Sequence, residues 1–208
     1  MRYRRQSVTE KPKETCYLGI ADDIRSKDSL SKFMADENSY IHEHLATLFF
    51  LTRISKPNKI VEIGTGEGHS TLAFAQGCAV NGKGHVISID IEEKGKAIDL
   101  LQDENLYTYV TFMKDPNVSL IGGIDILFID GDHSYESVKK DIEKYYSEIT
   151  EGGFIVFHDA YNPAHPGVMK AIQESINNVD RVLEWDYYEW FNCNGLVIIQ
   201  RKLQDWPN

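Results

Sequence analysis

The residues best suited to chemistry are two carboxylates and two imidazoles that follow two apolar strands. Asp130 and His133 come after the predicted strand at 124–129, and His158 and Asp159 follow the next predicted strand, at 154–157. Neighbouring parallel strands end at the same edge of a sheet, so we expect these side chains to meet there. Carboxylates that close together are costly unless a cation neutralises them, so the pattern indicates a divalent-metal site. Oxygen ligands suit Mg²⁺, Ca²⁺ or Mn²⁺, and an imidazole ligand shifts the preference toward Mn²⁺, Fe²⁺ or Zn²⁺.

Simpler structural roles are open for the same residues. Asp132 is placed to cap a helix that begins near Ser134, and Asp159 to cap a turn. His133 would then be a solvated turn residue. The metal hypothesis depends on the residues acting as a cluster.

A glycine-rich turn forms the second candidate site. Residues 59–63 read as a buried strand, Gly64, Gly66 and Gly68 follow, and a helical pattern begins at His69. A strand, a glycine turn and a helix in this order bring backbone N–H groups close to a ligand. The spacing G-x-G-x-G differs from the G-x-G-x-x-G of dinucleotide enzymes, because His69 stands where the third glycine would fall. A nicotinamide cofactor is therefore the less favoured alternative.

Acidic residues flank this turn at two informative positions. Glu62 lies two residues before the first glycine, and Asp90 follows the strand at 85–89. An acid about 20 residues past such a turn, at the end of the second strand, can accept hydrogen bonds from both ribose hydroxyls. The alternatives are a solvated loop acid for Glu62 and a helix N-cap for Asp90.

Together, the turn and its acids resemble motif I of the class I S-adenosylmethionine-dependent methyltransferases. The resemblance covers about residues 55–200. It implies that Glu62 helps to orient the methionine amino group, that Asp90 binds the ribose, and that Asp115 reaches the adenine amino group. The expected cofactor-binding residues are Glu62, Gly64, Thr65, Gly66, Gly68, Ser70, Asp90, Asp115 and Asp130.

The acidic and imidazole residues resemble the site of metal-dependent small-molecule O-methyltransferases. That resemblance implies that Asp130, His158 and Asp159 bind the metal, with Mg²⁺ or Mn²⁺ expected, and that His133 is the catalytic base. Catechol-type members carry Asp-Asn after the fifth strand, whereas this chain has Asp159-Ala160. His158 would then supply the third ligand, as the residue before the Asp does in the sugar-modifying branch.

Apolar strands alternate with helical patterns along the chain, which predicts an α/β fold with a doubly wound, mostly parallel sheet of seven strands. The last two strands lack an intervening helix, so the seventh should be antiparallel. We predict one methyltransferase domain over 1–208, with an N-terminal arm (1–17), N-terminal helices (about 18–55) and a core (56–208). Ser39 is expected to cap the helix before the first strand. The strands are expected at 59–63, 85–89, 110–113, 124–129, 154–157, 181–185 and 196–200.

The composition and net charge of the chain indicate which kinds of partner it is expected to bind. The chain has 208 residues, a net charge of −10 and 42% hydrophobic residues, which is typical of one globular domain. The negative charge disfavours nucleic acid and anionic membranes as partners. Three widely spaced cysteines suggest reduced thiols, and the basic start lacks the apolar stretch of a secretory signal. We therefore expect a cytoplasmic protein.

The acceptor is expected to be a small molecule. Four aromatic residues between the sixth and seventh strands could wall its pocket, or could instead form a hairpin contact or a homodimer interface. They are Tyr187, Tyr188, Trp190 and Phe191. A metal-assisted O-methyltransferase is the leading hypothesis. A metal-independent methyltransferase and a non-catalytic binding protein with the same fold are the alternatives.

Overall fold

The computed structural model describes residues 29–36, 39–114, 122–176 and 185–202. Its strands are β1 (Lys59–Ile63), β2 (His85–Ile89), β3 (Val110–Met113), β4 (Ile124–Ile129), β5 (Ile149–His158), β6 (Trp185–Trp190) and β7 (Leu196–Arg201). Its α-helices are α1 (Ser29–Met34), α2 (His42–Ser55), α3 (His69–Asn81), α4 (Gly95–Asp103), α5 (Tyr135–Tyr145) and α6 (Pro166–Ile176). Among these described helices, none combines the length and apolar composition needed to cross a membrane.

All seven strands form one sheet in the order β3-β2-β1-β4-β5-β7-β6. The pairs from β3 to β5 are parallel, whereas β7 is antiparallel to both β5 and β6. The predicted doubly wound architecture is confirmed. The strand order reverses between β1 and β4, and ligands of such sheets bind beyond the carboxyl ends of the strands at this point.

Two apolar layers hold the sheet between helices. The layer that includes Leu45 of α2 and Phe74 of α3 covers one face. The layer that includes Ile142 of α5 and Ile172 of α6 covers the other. Strands such as β4 are apolar along almost their whole length because both of their faces are buried.

The sixth strand continues past its predicted end at Trp185. The expected strand lay at 181–185, of which residues 181–184 fall outside the described residues, whereas β6 runs from Trp185 to Trp190. Tyr187, Tyr188 and Trp190 therefore belong to the strand and not to the hairpin loop. Aromatic side chains favour a pleated, half-exposed surface, and the edge position of β6 provides one.

One further strand boundary differs from the prediction. β5 already begins at Ile149 and continues through Gly152 and Gly153, where its register with β4 shifts. α6 begins at Pro166, since a proline fits the first turn of a helix. The predicted arm at 1–17 lies outside the described residues.

Ser39 does not cap α2. The N-cap position belongs to Ile41, which makes no side-chain cap hydrogen bond. The Ser39 hydroxyl instead lies 3.3 Å from His69 Nδ1, at the start of α3. The serine thus connects the segment before α2 to the helix that follows the glycine turn.

Candidate active site

The glycine turn and the end of β4 are in direct contact. Gly64 donates from its N–H to the Ile89 carbonyl, and Asp130 donates from its N–H to the Ile63 carbonyl. Gly64 has φ +93°, and a Cβ atom there would lie 2.1 Å from the Asp130 carbonyl oxygen. Only glycine allows this approach, so the turn after β1 and the residue after β4 form one continuous surface.

The other two glycines serve different purposes. A Cβ atom on Gly68 would lie 2.7 Å from the Ala97 Cβ atom, so this glycine lets α3 begin close to α4. A Cβ atom on Gly66 would have no neighbour within 4 Å among the described residues. The turn is therefore tightly held at its two ends and open in its middle.

Glu62 lies beneath this turn and is fully buried. Its carboxylate accepts hydrogen bonds from the hydroxyls of Ser70, Thr71 and Ser88, each at 2.5 Å. Burial raises the pKa of Glu62 to about 7, although these three hydroxyls oppose the shift. The residue joins β1, β2 and α3 from below, and a contact with the methionine amino group stays a prediction.

Asp90 holds the turn from the side. Its Oδ2 accepts a hydrogen bond from the Thr65 N–H at 3.0 Å, and its Oδ1 accepts one from the Glu92 N–H at 3.1 Å. Lys94 Nζ lies 3.4 Å from Oδ1. The alternative of a helix N-cap is not what the structure has, because α4 begins at Gly95 with Lys94 at its N-cap position. Asp115 lies outside the described residues.

Asp130, His133, His158 and Asp159 meet as one group, the carboxylate–imidazole cluster. His133 Nε2 lies 3.3 Å from Asp130 Oδ1 and 3.0 Å from Asp159 Oδ2. His158 Nδ1 lies 3.3 Å from Asp130 Oδ1 and 3.5 Å from Asp159 Oδ2. The two carboxylates are thus held between two rings, on the same side of the sheet edge as the glycine turn.

The close contacts between carboxylates and imidazoles shift the pKa of each residue in the cluster. Hydrogen bonds to Asp130 and Asp159 raise the pKa of His133 to about 9. Burial would lower the pKa of His158, but the same two carboxylates raise it above its ordinary value. Burial would raise the pKa of each carboxyl, and contact with the histidines lowers it instead. Without another cation, the imidazolium ions therefore balance the carboxylates at neutral pH.

His158 contacts the carboxylates without hydrogen-bond alignment. Within the described part of the chain, neither of its ring nitrogens has a hydrogen-bond partner, although the side chain is only 2% exposed. Burying a polar atom in this way is costly, and a bound cation would remove the cost. One donor atom each from Asp130, His158 and Asp159 lies within 4.8 Å of the others. The donor set and the unpartnered imidazole both fit a divalent metal.

Local structure fixes the orientation of the cluster. Asp159 has φ +55°, and its Oδ1 accepts a hydrogen bond from the Asn162 side chain at 2.9 Å. The His133 ring stacks on His165, with centroids 4.4 Å apart. Asp132 does not join the cluster, because its carboxylate accepts hydrogen bonds from Ser134 and Ser137 at the start of α5. The N-cap of α5 is Ser134, whose side chain accepts a hydrogen bond from the Ser137 N–H, so Asp132 supports the cap and does not itself form it.

Several contributors to this region were missed by sequence reasoning. His44 of α2 is buried, its Nε2 donates to the Asn192 carbonyl, and its ring lies edge-on to His158 at 5.5 Å. Burial lowers the pKa of His44 to about 4, so the ring is neutral at pH 7. A histidine beside Leu45 on an apolar helix face was the available signal. Asn162 had a local signal too, three residues after Asp159, whereas Ser88 becomes a partner of Glu62 only through strand register.

Comparison with known proteins agrees with the fold. A family model described as a methyltransferase domain matches residues 61–160, from β1 to just past β5. The uncharacterized protein R132 of Acanthamoeba polyphaga mimivirus is 32% identical over 155 residues, which cover 67% of each chain.

Solved structures extend the similarity to nearly the whole chain. An O-methyltransferase from Bacillus cereus in complex with SAH has a TM-score of 0.67 at 18% identity and covers 90% of this chain and 97% of its own. SAH-bound PaMTH1 of Podospora anserina has a TM-score of 0.67 at 15% identity and covers 96% and 100%. TomG of Streptomyces achromogenes, an O-methyltransferase of tomaymycin synthesis in complex with SAM, has a TM-score of 0.63 at 14% identity and covers 91% and 96%. The chain is therefore a relative of R132, carries a methyltransferase domain over residues 61–160, and has the fold of these S-adenosylmethionine-dependent methyltransferases.

Proposed function

We propose that the protein transfers the methyl group of S-adenosylmethionine to a hydroxyl oxygen of a small molecule, with the help of a divalent cation. The observation that carries the proposal is the contact between the two candidate sites. The backbone of Asp130 closes against Gly64, and the side chain of Asp130 belongs to the carboxylate–imidazole cluster. A molecule bound along the glycine turn would therefore end beside the cluster.

The residues of the turn would bind the adenosyl group. The open middle of the turn, at Gly66, leaves room for a ligand against the backbone. Asp90 still has lone pairs for ribose hydroxyls, because each of its oxygens accepts one backbone N–H. When bound, the sulfonium would supply an electrophilic methyl group, and the positive charge of the ligand would suit this acidic site.

Asp130, His158 and Asp159 would hold the cation, Mg²⁺ or Mn²⁺, as the donor atoms and the unpartnered ring suggest. A divalent cation supplies Lewis acidity that lowers the pKa of an acceptor hydroxyl. Positive charge shared by the same carboxylates would also lower the pKa of His133 from about 9. His133 Nε2 would then be free to accept the proton of the hydroxyl.

A second candidate keeps the methyl donor and omits the metal. The observation that favours it is the balance of charge within the cluster, where two imidazolium ions can neutralise two carboxylates. The acceptor, through oxygen or nitrogen, would then be deprotonated by one of these groups alone. A non-catalytic protein with the same fold is the remaining alternative.

Isothermal titration with S-adenosylhomocysteine tests the proposal, and the titration is repeated with Mn²⁺ and with Mg²⁺. Methyl transfer from labelled S-adenosylmethionine to a panel of catechols, phenols and glycosides is then compared with and without a chelator. We expect binding of the adenosyl ligand, and transfer that the chelator abolishes. Transfer that survives the chelator would support the metal-independent candidate. Absence of adenosyl binding would contradict both.

A further inference from the structure

Cys193 occupies an unusual position on the turn between β6 and β7. Its φ is +48°, and the next residue, Asn194, also has a positive φ. The Cys193 thiol donates to the Tyr40 carbonyl at 2.6 Å, and its Sγ lies 3.9 Å from His42 Nδ1. The turn thus directs the sulfur toward Tyr40, just before α2, and toward His42, the first residue of α2.

Two buried imidazoles face this sulfur. His44 and His158 are 1% and 2% exposed, and one nitrogen of each lies within 4.8 Å of the other and of Cys193 Sγ. His158 brings the ring whose nitrogens have no hydrogen-bond partner among the described residues. Antiparallel pairing of His158 with Leu196 places the end of β5 beside the turn.

Sulfur and nitrogen ligands select a different kind of metal from carboxylates. A thiolate with two imidazoles suits Zn²⁺ in tetrahedral geometry, and Mg²⁺ binds such sets poorly. We propose that His44, His158 and Cys193 form a Zn²⁺ site, which shares His158 with the carboxylate–imidazole cluster and leaves a fourth position for water. On binding, the Cys193 thiol and the His158 imidazolium each give a proton to solvent, so that the thiolate and the neutral ring coordinate the metal.

Cobalt substitution tests the site directly. Co²⁺ bound by a thiolate in tetrahedral geometry gives a sulfur-to-metal charge-transfer band and intense visible bands. We expect these bands in the wild-type protein, and we expect Cys193→Ser to abolish the charge-transfer band and to weaken Zn²⁺ binding by roughly 100-fold. Cys16→Ser and Cys78→Ser, which make the same change elsewhere, should retain the band. A wild-type protein without the band, or a band that survives Cys193→Ser, would overturn the proposal.

Two further variants separate this site from its neighbour. His44→Gln keeps the thiol and a side-chain donor for the Asn192 carbonyl, so weaker visible bands in this variant would report loss of a ligand and not loss of the fold. Unchanged bands in His44→Gln would contradict the proposal. Asp159→Asn removes a carboxylate of the cluster and should leave the charge-transfer band in place. Loss of the band in Asp159→Asn would place the metal in the cluster and overturn the separate site.

Discussion

Replacement of Glu62 by glutamine should change how the stability of the protein depends on pH. The carboxyl is fully buried beneath the glycine turn, and burial raises its pKa from 4.5 to about 7. The folded protein therefore holds this proton more tightly than the unfolded chain does. The stability that the protonated carboxyl contributes is complete below pH 4.5 and is lost as the pH rises through about 7.

The size of the effect follows from the shift in pKa. A difference of one pKa unit corresponds to about 1.4 kcal/mol, so the full shift is worth about 3 kcal/mol. Between about pH 5.5 and about pH 8, the wild-type protein should lose roughly 2 kcal/mol through this group. Glu62→Gln stays neutral and keeps the shape of the side chain, so it should lack this part of the pH dependence. Its stability relative to the wild type should rise with pH.

Urea unfolding followed by circular dichroism, without adenosyl ligands or metals, gives the free energy of unfolding at each pH. The difference between the wild type and Glu62→Gln cancels the other titrating groups. Glu67→Gln is the matched control, because Glu67 lies in the same turn but is exposed, and Lys96 lowers its pKa. This control should show no corresponding gain in stability above pH 5.5.

A constant difference between the wild type and Glu62→Gln across this range would refute the reasoning. It would mean that the hydroxyls of Ser70, Thr71 and Ser88 stabilise the charged carboxylate as well as water does. Burial would then not be the dominant influence on this group.

Other perturbations act on the turn and on the cluster. Gly64→Ala should destabilise the fold by about 3 kcal/mol or more, because its Cβ atom would meet the Asp130 backbone. Gly66→Ala should cost only about 1 kcal/mol, because it would have only the strain of the backbone. Urea unfolding of both variants checks the contrast, and equal losses of stability would contradict it. Mn²⁺ affinity, measured by titration calorimetry, should rise between pH 6 and pH 9, because the raised pKa of His133 makes the cation compete with protons. Asp159→Asn should abolish Mn²⁺ binding. An affinity that does not change with pH would argue against the metal site. His133→Ala should lower turnover by about 100-fold while S-adenosylhomocysteine affinity is unchanged, and full turnover would exclude the base assignment.

The sequence was sufficient for the parts of the fold that depend on local pattern. The strand at 59–63, the glycine turn and the start of α3 at His69 lie where the pattern predicts them. The last hairpin was harder, since Trp185–Trp190 is an edge strand with no alternation of apolar and polar residues. Its boundary depends on pairing with β7, which sequence periodicity does not report.

The same limit applies to the site. The meeting of Asp130 with Asp159 could be predicted, because it requires only that neighbouring parallel strands share an edge. The approach of His44 and Cys193 to His158 could not, because His44 lies 114 positions before His158 and Cys193 lies 35 positions after it. The hydroxyl partners of Glu62 likewise depend on which residues face each other across β1 and β2.

Antiparallel pairing at one edge of the sheet also sets the order in which strands can pair while the chain is being synthesised. β5 leaves the ribosome with one edge unpaired, because its partner β7 lies 40 residues later, as the pairing of Phe157 with Val197 shows. The strand pairing among β1, β2, β3 and β4 uses no residue of that late segment. The half of the sheet that carries the glycine turn can therefore form its strand pairs on the nascent chain, while Cys193 reaches its final position beside His158 only after β7 has paired with β5.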